Sequence, residues 1–355
     1  MPPEELDIKH KSLKSFLVAT APFHLNSREE VYEKLSRCRE AISEEGIMGP
    51  GFIIIQFVTS VKEGLDVELG FPVTQAVETE GLKTWMLPEM EVLSLIHRGP
   101  REDIRESYRN LYGRAAERGI ISDEFCREVY LSSGHEGEVE IEIQFVIHKW
   151  DRLLATNLVK VVGKKAQRSI MQGSDKLTMK STAEQRFRWT RGAMERLKDL
   201  ADERQKFEIL SGCAHVFPER QIAKLRALYE DSKARTGNSL KAVDAVRAFM
   251  GQDPGWGERP RREGNVIFSS KKPRDPAGYE KASDEGAKKK AYCYCPLVRE
   301  HLDAGMPVAF CYCGAGWYRQ QWEGAIGKPV TVKILKSILK GDDRCEFAIR
   351  LPDDM

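Results

Sequence analysis

Two Cys-x-Cys pairs, Cys293-Tyr-Cys295-Pro and Cys311-Tyr-Cys313-Gly, are the residues of this sequence best suited to chemistry. Fifteen residues separate Cys295 from Cys311. Thiolates two apart can meet one ion from a turn, and Pro296 and Gly314 favour such turns. Four would satisfy tetrahedral zinc or, less readily, hold an iron–sulfur cluster. Cys213 and His215 form another two-apart pair and are candidate further ligands, with Cys345 a lone candidate. In an extended segment the same spacing puts two thiols on one face. Redox or catalytic thiols without metal, and inert buried thiols, are therefore the alternatives.

A second kind of chemistry resides in carboxylates on alternating segments. Ile141, Ile143, Phe145 and Ile147 alternate with Glu140, Glu142 and Gln144, giving one apolar and one polar face. With the apolar face under helices, Glu142 and Gln144, and Glu68 in an earlier segment, are expected to project into a groove. A desolvated carboxylate there would favour a cation or accept a proton. The plainer reading is a solvated sheet face.

The elements that would position these carboxylates repeat. Ser27 to Gly46 and Pro100 to Gly119 both read as amphipathic helices. Arg28, Glu29, Glu33, Glu44, Gly46, Ile47 and Phe52 match Arg101, Glu102, Glu106, Glu117, Gly119, Ile120 and Phe125. The segment from Asp66 to Val73 aligns with that from Glu140 to Ile147. Each unit reads strand–helix–strand–strand: about 10–20, 27–45, 51–59 and 64–74, then 88–98, 101–118, 125–132 and 138–148. Lys83 to Leu87 joins the units or lengthens the fifth strand. The spacing predicts a sheet with two helices on one face and a groove on the other.

The 355 residues suffice for two domains, and charge divides them. Residues 1–150 carry a net −10 and residues 151–355 a net +12. Two cysteines lie in the first part and six in the second. The longest apolar run, Gly51 to Ser60, is strand-length, so no membrane partner is expected. The acidic start, Met-Pro-Pro-Glu-Glu, lacks a signal-peptide core, which points to the cytoplasm and to reduced thiols. The opposed charges suit docking of the two domains on each other. The basic runs at Arg259, Lys271 and Lys288 are otherwise solvated faces, and nucleic acid is not the expected partner.

The second of these repeats resembles part of the GyrI-like effector-binding domain, and the resemblance covers about residues 6–150. The resemblance rests on Leu95-Ile-His-Arg-Gly-Pro, Leu111-Tyr112, Val129-Tyr130-Leu131 and Glu142-Ile-Gln-Phe-Val. It implies a small-molecule ligand that is lipophilic, aromatic or cationic, a pocket carboxylate at Glu142, and aromatic walls from Trp85, Tyr112 and Tyr130. The family's proline after the final strand is replaced by Val146, whereas the first unit keeps Pro72.

The basic half is expected to be a helix-rich α+β domain, making the whole chain α+β. Residues 151–180 read as a linker or docking segment. Ser181-Thr-Ala-Glu184 opens a helix to about Phe207, and helices follow at 218–234 and 238–250. Asp253 to Lys290 reads as a long loop around a strand from Asn265 to Ser269. Val330 to Leu339 suggests a helix, and the stretch from Cys345 to Arg350 a final strand. Cys311-Tyr-Cys-Gly-Ala-Gly-Trp-Tyr, Ser337 to Gly341-Asp342, and Cys345-Glu-Phe347 resemble the end of L-2-amino-thiazoline-4-carboxylic acid hydrolase-type domains and their 4-vinyl-reductase-type relatives, over about 180–352. This resemblance assigns no catalytic residue.

The expected function is a small-molecule binding protein with a cysteine-rich, metal-binding second domain. The alternative is a hydrolase using a Glu general base, a Cys or a metal against an electrophilic substrate. No Walker pattern, dinucleotide glycine loop, zincin motif or nucleophile elbow occurs, which excludes those templates.

Overall fold

The computed structural model describes residues 7–42, 46–56, 64–79, 81–132, 138–148, 150–217, 219–252 and 256–355. The acidic start, Glu44, Asp253 and the end of the run Gly51–Ser60 lie outside the described residues. The chain divides into two units, Met1–His148 and Lys149–Met355. Together they form a mixed α+β protein.

In the first unit the strands are β1 (Lys9–Leu13), β2 (Phe16–Leu25), β3 (Phe52–Gln56), β4 (Leu65–Pro72), β5 (Lys83–Leu87), β6 (Met90–Pro100), β7 (Ser122–Tyr130) and β8 (Glu138–Ile147). Helix α1 (Glu30–Ala41) follows β2, and α2 (Ile104–Glu117) follows β6. The eight strands form one sheet in the order β1-β6-β8-β7-β3-β4-β2-β5. Lys83–Leu87 is thus a strand in its own right, paired with β2.

Nominally β1 and β5 are edges, but the hydrogen bonding closes on itself. Leu13 pairs with Met90 and Phe16 pairs with Leu87, so the register continues unchanged across the short breaks between β1 and β2 and between β5 and β6. One long ribbon therefore joins the two ends of the sheet into a ring. A groove was expected on the face away from the helices. That face instead carries its own apolar cluster of Val18, Phe52, Ile54, Leu87, Met90, Val92 and Val146, with Leu13, Phe16, Trp85 and Val129 against it. The reason is the ribbon: it turns the second face inward, where apolar side chains leave water.

The opposite face packs on the helices. Phe145 of β8 lies 4.2 Å from the Tyr112 ring and 5.7 Å from the Tyr108 ring of α2. Tyr130 of β7 meets Tyr32 of α1 edge-on at 5.3 Å. Val31, Leu35 and Cys38 of α1, and Ile104, Leu111 and Ala115 of α2, supply the buried stripes.

The second unit begins with α3 (Trp150–Ile170), where the sequence suggests a linker or docking segment. Trp150, Leu154 and Leu158 recur every four residues and are buried, which makes this segment core. Gly163, at φ 82°, breaks the helical path midway. The long helix expected to reach Phe207 is two. Thr182, not Ser181, caps α4 (Ala183–Leu200) with a capping box to Gln185. Asp202 caps α5 (Glu203–Ser211) in the same way through Gln205. The second capping box ends one helix and starts the other.

Helices α6 (Glu219–Thr236) and α7 (Ser239–Met250) follow. The expected loop from 253 to 290 contains β9 (Arg261–Glu263), β10 (Val266–Ser270), α8 (Pro276–Lys281) and α9 (Glu285–Tyr292). Asp275 and Asp284 cap the two short helices through their carboxylates. After α10 (Tyr312–Ile326), the segment expected as a helix is strand β11 (Thr331–Lys336), followed by β12 (Glu346–Arg350). Val332 is buried while Thr331 and Lys333 are exposed, an alternation that suits pairing with β12 and not a helix. The second sheet runs β11-β12-β10-β9.

Candidate functional site

The ligand-facing residues expected from the sequence fall on two faces of the first sheet, not in one wall. Tyr112 and Tyr130 lie on the helix side. Glu68, Trp85, Glu142 and Gln144 lie on the inner side. A row of direct cross-strand neighbours on that side runs Glu68, Ile54, Arg127, Gln144, Ser94 and Lys9.

The inner polar groups are already paired with one another. Lys11 Nζ donates to Glu142 Oε1 at 2.6 Å, and Glu142 is 7 % exposed. Burial pushes the Glu142 carboxyl up, but the Lys11 and Ser94 hydrogen bonds outweigh it and hold the group below the usual carboxylate range. Arg127 Nε donates to Gln144 Oε1 at 2.7 Å, with its guanidinium between the Phe16 and Phe52 rings. Burial pulls Arg127 down to about 10 against the opposing pull of Glu142. Its Nη1 is a buried donor without a partner among the described residues. Farther round, Trp85 Nε1 donates to Thr20 Oγ1 at 2.8 Å, and Thr20 Oγ1 donates to Glu68 Oε1 at 2.6 Å. Glu142 thus has its cation built in.

The helix side carries a carboxylate that sequence reasoning missed. Glu128 of β7 is 0 % exposed and accepts from Tyr108 OH at 2.5 Å, from Tyr130 OH at 2.9 Å and from Arg28 Nη1. Tyr108 OH also lies 3.2 Å from Cys126 Sγ. The Arg28 guanidinium stands 5.6 Å from the Tyr108 ring centre, and Arg101 stands 4.6 Å from that of Tyr32. Arg28 and Arg101 are matched positions of the repeat. Arg101 Nη1 donates to the Arg28 carbonyl at 2.9 Å, so the heads of the two helical segments are tied together.

Electrostatics follow from this packing. Burial pulls Arg28 down, but Glu128 and the neighbouring phenol of Tyr108 more than offset it, so the guanidinium is held firmly protonated. Burial, then the Glu128 charge, pushes both Tyr108 and Tyr130 well above the ordinary phenol range. Burial also pushes the Cys126 thiol up. A carboxylate fixed among phenols and aromatic rings can hold a cation with little water to compete. The signal for Glu128 was present in Glu128-Val-Tyr130, whose alternation puts the acid on the same face as Tyr130.

In the second unit five cysteines come together from separate segments. Cys293 ends α9, its N–H donating to Lys289 O, and the Cys295 carbonyl accepts from Arg299 N at 3.0 Å. Cys311 caps α10 by position and Cys313 lies in its first turn, while Ser337 Oγ donates to Cys311 Sγ at 3.3 Å. Cys345 N donates to Tyr292 OH at 3.2 Å, and its carbonyl accepts from Lys271 N at 3.2 Å. A Cβ on Gly314 would lie 3.7 Å from Lys271 Nζ, which places that ammonium beside the same helix end. Burial pushes Cys293 up to about 11 and raises Cys295, Cys311, Cys313 and Cys345, and neighbouring thiols add to the effect at Cys293, Cys295, Cys311 and Cys313. Lys271 works against it at Cys293, Cys313 and Cys345. Cys213 is buried after α5, where Asn157 Nδ2 lies 3.7 Å from its Sγ, and the His215 carbonyl accepts from Gln320. Among the described residues no group of three or more His, Cys, Asp or Glu is arranged to hold a metal ion. No described helix is long and apolar enough to cross a membrane.

Residues 7–148 match the family model of the GyrI-like small molecule binding domain, and the first unit is such a domain. Residues 265–355 match a family of unknown function, DUF6144, which assigns no activity to the second unit. Among solved structures the chain is similar to the EcmrR C-terminal domain, at 18 % identity and a TM-score of 0.36, covering 41 % of this chain and 99 % of that one. It is also similar to SAV2435 bound to tetraphenylphosphonium, at 7 % identity and 0.31, covering 41 % and 97 %. A third is a hydrolase encoded by lin2189 from Listeria innocua, at 9 % identity and 0.29, covering 41 % and 94 %. No curated protein matches the chain.

Proposed function

We propose that the first unit binds lipophilic aromatic cations at Glu128. The observation that carries this reading is a fully buried carboxylate bounded by Tyr108, Tyr130 and a guanidinium already drawn to it. The family match over residues 7–148 supports small-molecule binding in general. Glu142, the carboxylate singled out in the sequence, is likewise paired with a cation, Lys11, and is the lesser candidate because its other hydrogen bonds come from Ser94 and Gln144 and not from phenols. The hydrolase alternative is less well supported: a carboxylate that accepts from two phenols and an arginine has few lone pairs left to take a proton from water. Titration of the full chain with tetraphenylphosphonium, followed by Tyr and Trp fluorescence, tests the site. Saturable binding lost in Glu128→Gln but kept in Glu142→Gln is expected. Loss only in Glu142→Gln would move the site to the inner face.

For the second unit we propose that the converging thiols of Cys293, Cys295, Cys311, Cys313 and Cys345 bind a soft cation, zinc before an iron–sulfur cluster. Their donor chemistry fits such an ion. Their present geometry does not offer three ready donors, so binding requires the thiols to close in and lose protons. Elemental analysis of freshly purified protein is the test. About one zinc per chain, lost in Cys293→Ser, is expected for a four-ligand site. Protein purified anaerobically without zinc or iron would overturn it.

A further inference from the structure

The charge already seated at Glu128 bears on how a ligand would enter. Arg28 stands just before α1, outside the regular helix, and its side chain is 31 % exposed while that of Glu128 is 0 % exposed. It reaches inward from the surface, so its side chain can withdraw without opening the core. Its main chain is held in place independently, because Arg101 Nη1 donates to the Arg28 carbonyl at 2.9 Å. Among the described residues Arg28 is the cation in contact with the Glu128 carboxylate. Tyr108 and Tyr130 donate to that carboxylate as neutral phenols and need not move for the guanidinium to leave.

We propose that Arg28 is a specificity-determining, built-in competitor: its guanidinium occupies the Glu128 carboxylate in the empty protein and a cationic ligand must displace it. This rests on the reading of Glu128 as the ligand site. Two cations cannot share one buried carboxylate among aromatic rings without strong repulsion. A neutral aromatic molecule brings no charge to replace the guanidinium and would leave Glu128 buried without a counter-ion. The arginine therefore selects for cations and sets a threshold affinity that a ligand must exceed. The ring faces of Tyr32 and Tyr108, now beside Arg101 and Arg28, are the surfaces that an incoming aromatic cation would share.

The test compares tetraphenylphosphonium binding at pH 7 by the full-length wild type, Arg28→Ala, Arg28→Lys and Glu128→Gln. Removing the competitor raises the fraction of sites ready for ligand, so Arg28→Ala is expected to bind about ten-fold more tightly. Arg28→Lys keeps a competing charge and is expected to bind like the wild type, which also controls for folding. Glu128→Gln is expected to lose binding. Arg28→Ala binding no more tightly than Arg28→Lys, with Glu128→Gln still defective, would overturn the competitor and leave the Glu128 site standing. Absence of binding to the wild type and to Arg28→Ala alike would overturn both.

Discussion

The Tyr108 hydroxyl lies 2.5 Å from Glu128 Oε1, a helix phenol reaching a strand carboxylate that shares its other contacts with Tyr130 and Arg28. The pair fixes where charge can be tolerated inside the first unit. A neutral hydroxyl donor lowers the cost of burying the carboxylate without supplying a counter-charge. The counter-charge comes from Arg28, the more exposed of the two partners.

Replacing Tyr108 by Phe should cost more stability than replacing Tyr130 by Phe. Both remove a hydrogen bond to a buried carboxylate, a loss of about 1.5–3 kcal/mol, but Tyr108 also contacts the Cys126 thiol. Urea unfolding of the two variants checks the order; equal midpoints would contradict it.

Glu142 predicts an acid-labile contribution. Its folded pKa lies below the ordinary carboxylate value of 4.5, so the stabilisation is fully present above about pH 4.5 and is lost as the pH falls through the lowered folded value. Thermal unfolding between pH 3 and 7 (a range spanning about the ordinary carboxylate pKa) should show the wild type losing more stability than Glu142→Gln towards the acid end. Parallel curves would mean that Lys11 does not hold the carboxylate in solution.

Gly70 of β4 pairs with Thr20 of β2. A Cβ there would sit 1.9 Å from the Ala19 carbonyl oxygen, which is backbone and cannot step aside alone. Gly70→Ala should therefore loosen the β2–β4 ladder and cost on the order of 1–3 kcal/mol. Hydrogen exchange at Val18 to Ala21 reports the loss directly; unchanged protection would refute the close approach.

The repeat was legible because its helices bury one stripe each and its matched arginines keep the same place ahead of those stripes. The helix-facing side of β8 was legible too, since Ile141, Ile143 and Phe145 alternate with polar neighbours. The ring was not, because register between β1 and β6 depends on partners far apart in sequence and on a break of two residues that leaves the register unshifted. Glu128 was hidden by Arg127 beside it: a strand with a charge on each face gives alternation no apolar side to find. In the second unit β11 was mistaken for a helix because its short run of Val, Ile and Leu fits both periods, and pairing with β12 decides it. The hydrolase-type and reductase-type resemblance over residues 180–352 had no counterpart in the match to a family of unknown function.

The ribbon that closes the first sheet also ties its two repeats into one folding event. β1 pairs with β6, β2 with β5 and β3 with β7, each pair crossing from one repeat to the other. Either repeat alone would expose several unpaired strand edges, which invite association with another chain. The duplicated segment behaves as a two-fold dimer written into a single polypeptide. Its assembly must wait for distant ends to meet, so this unit should fold slowly and all at once, and a cut between the repeats should give halves that fold only by complementing each other.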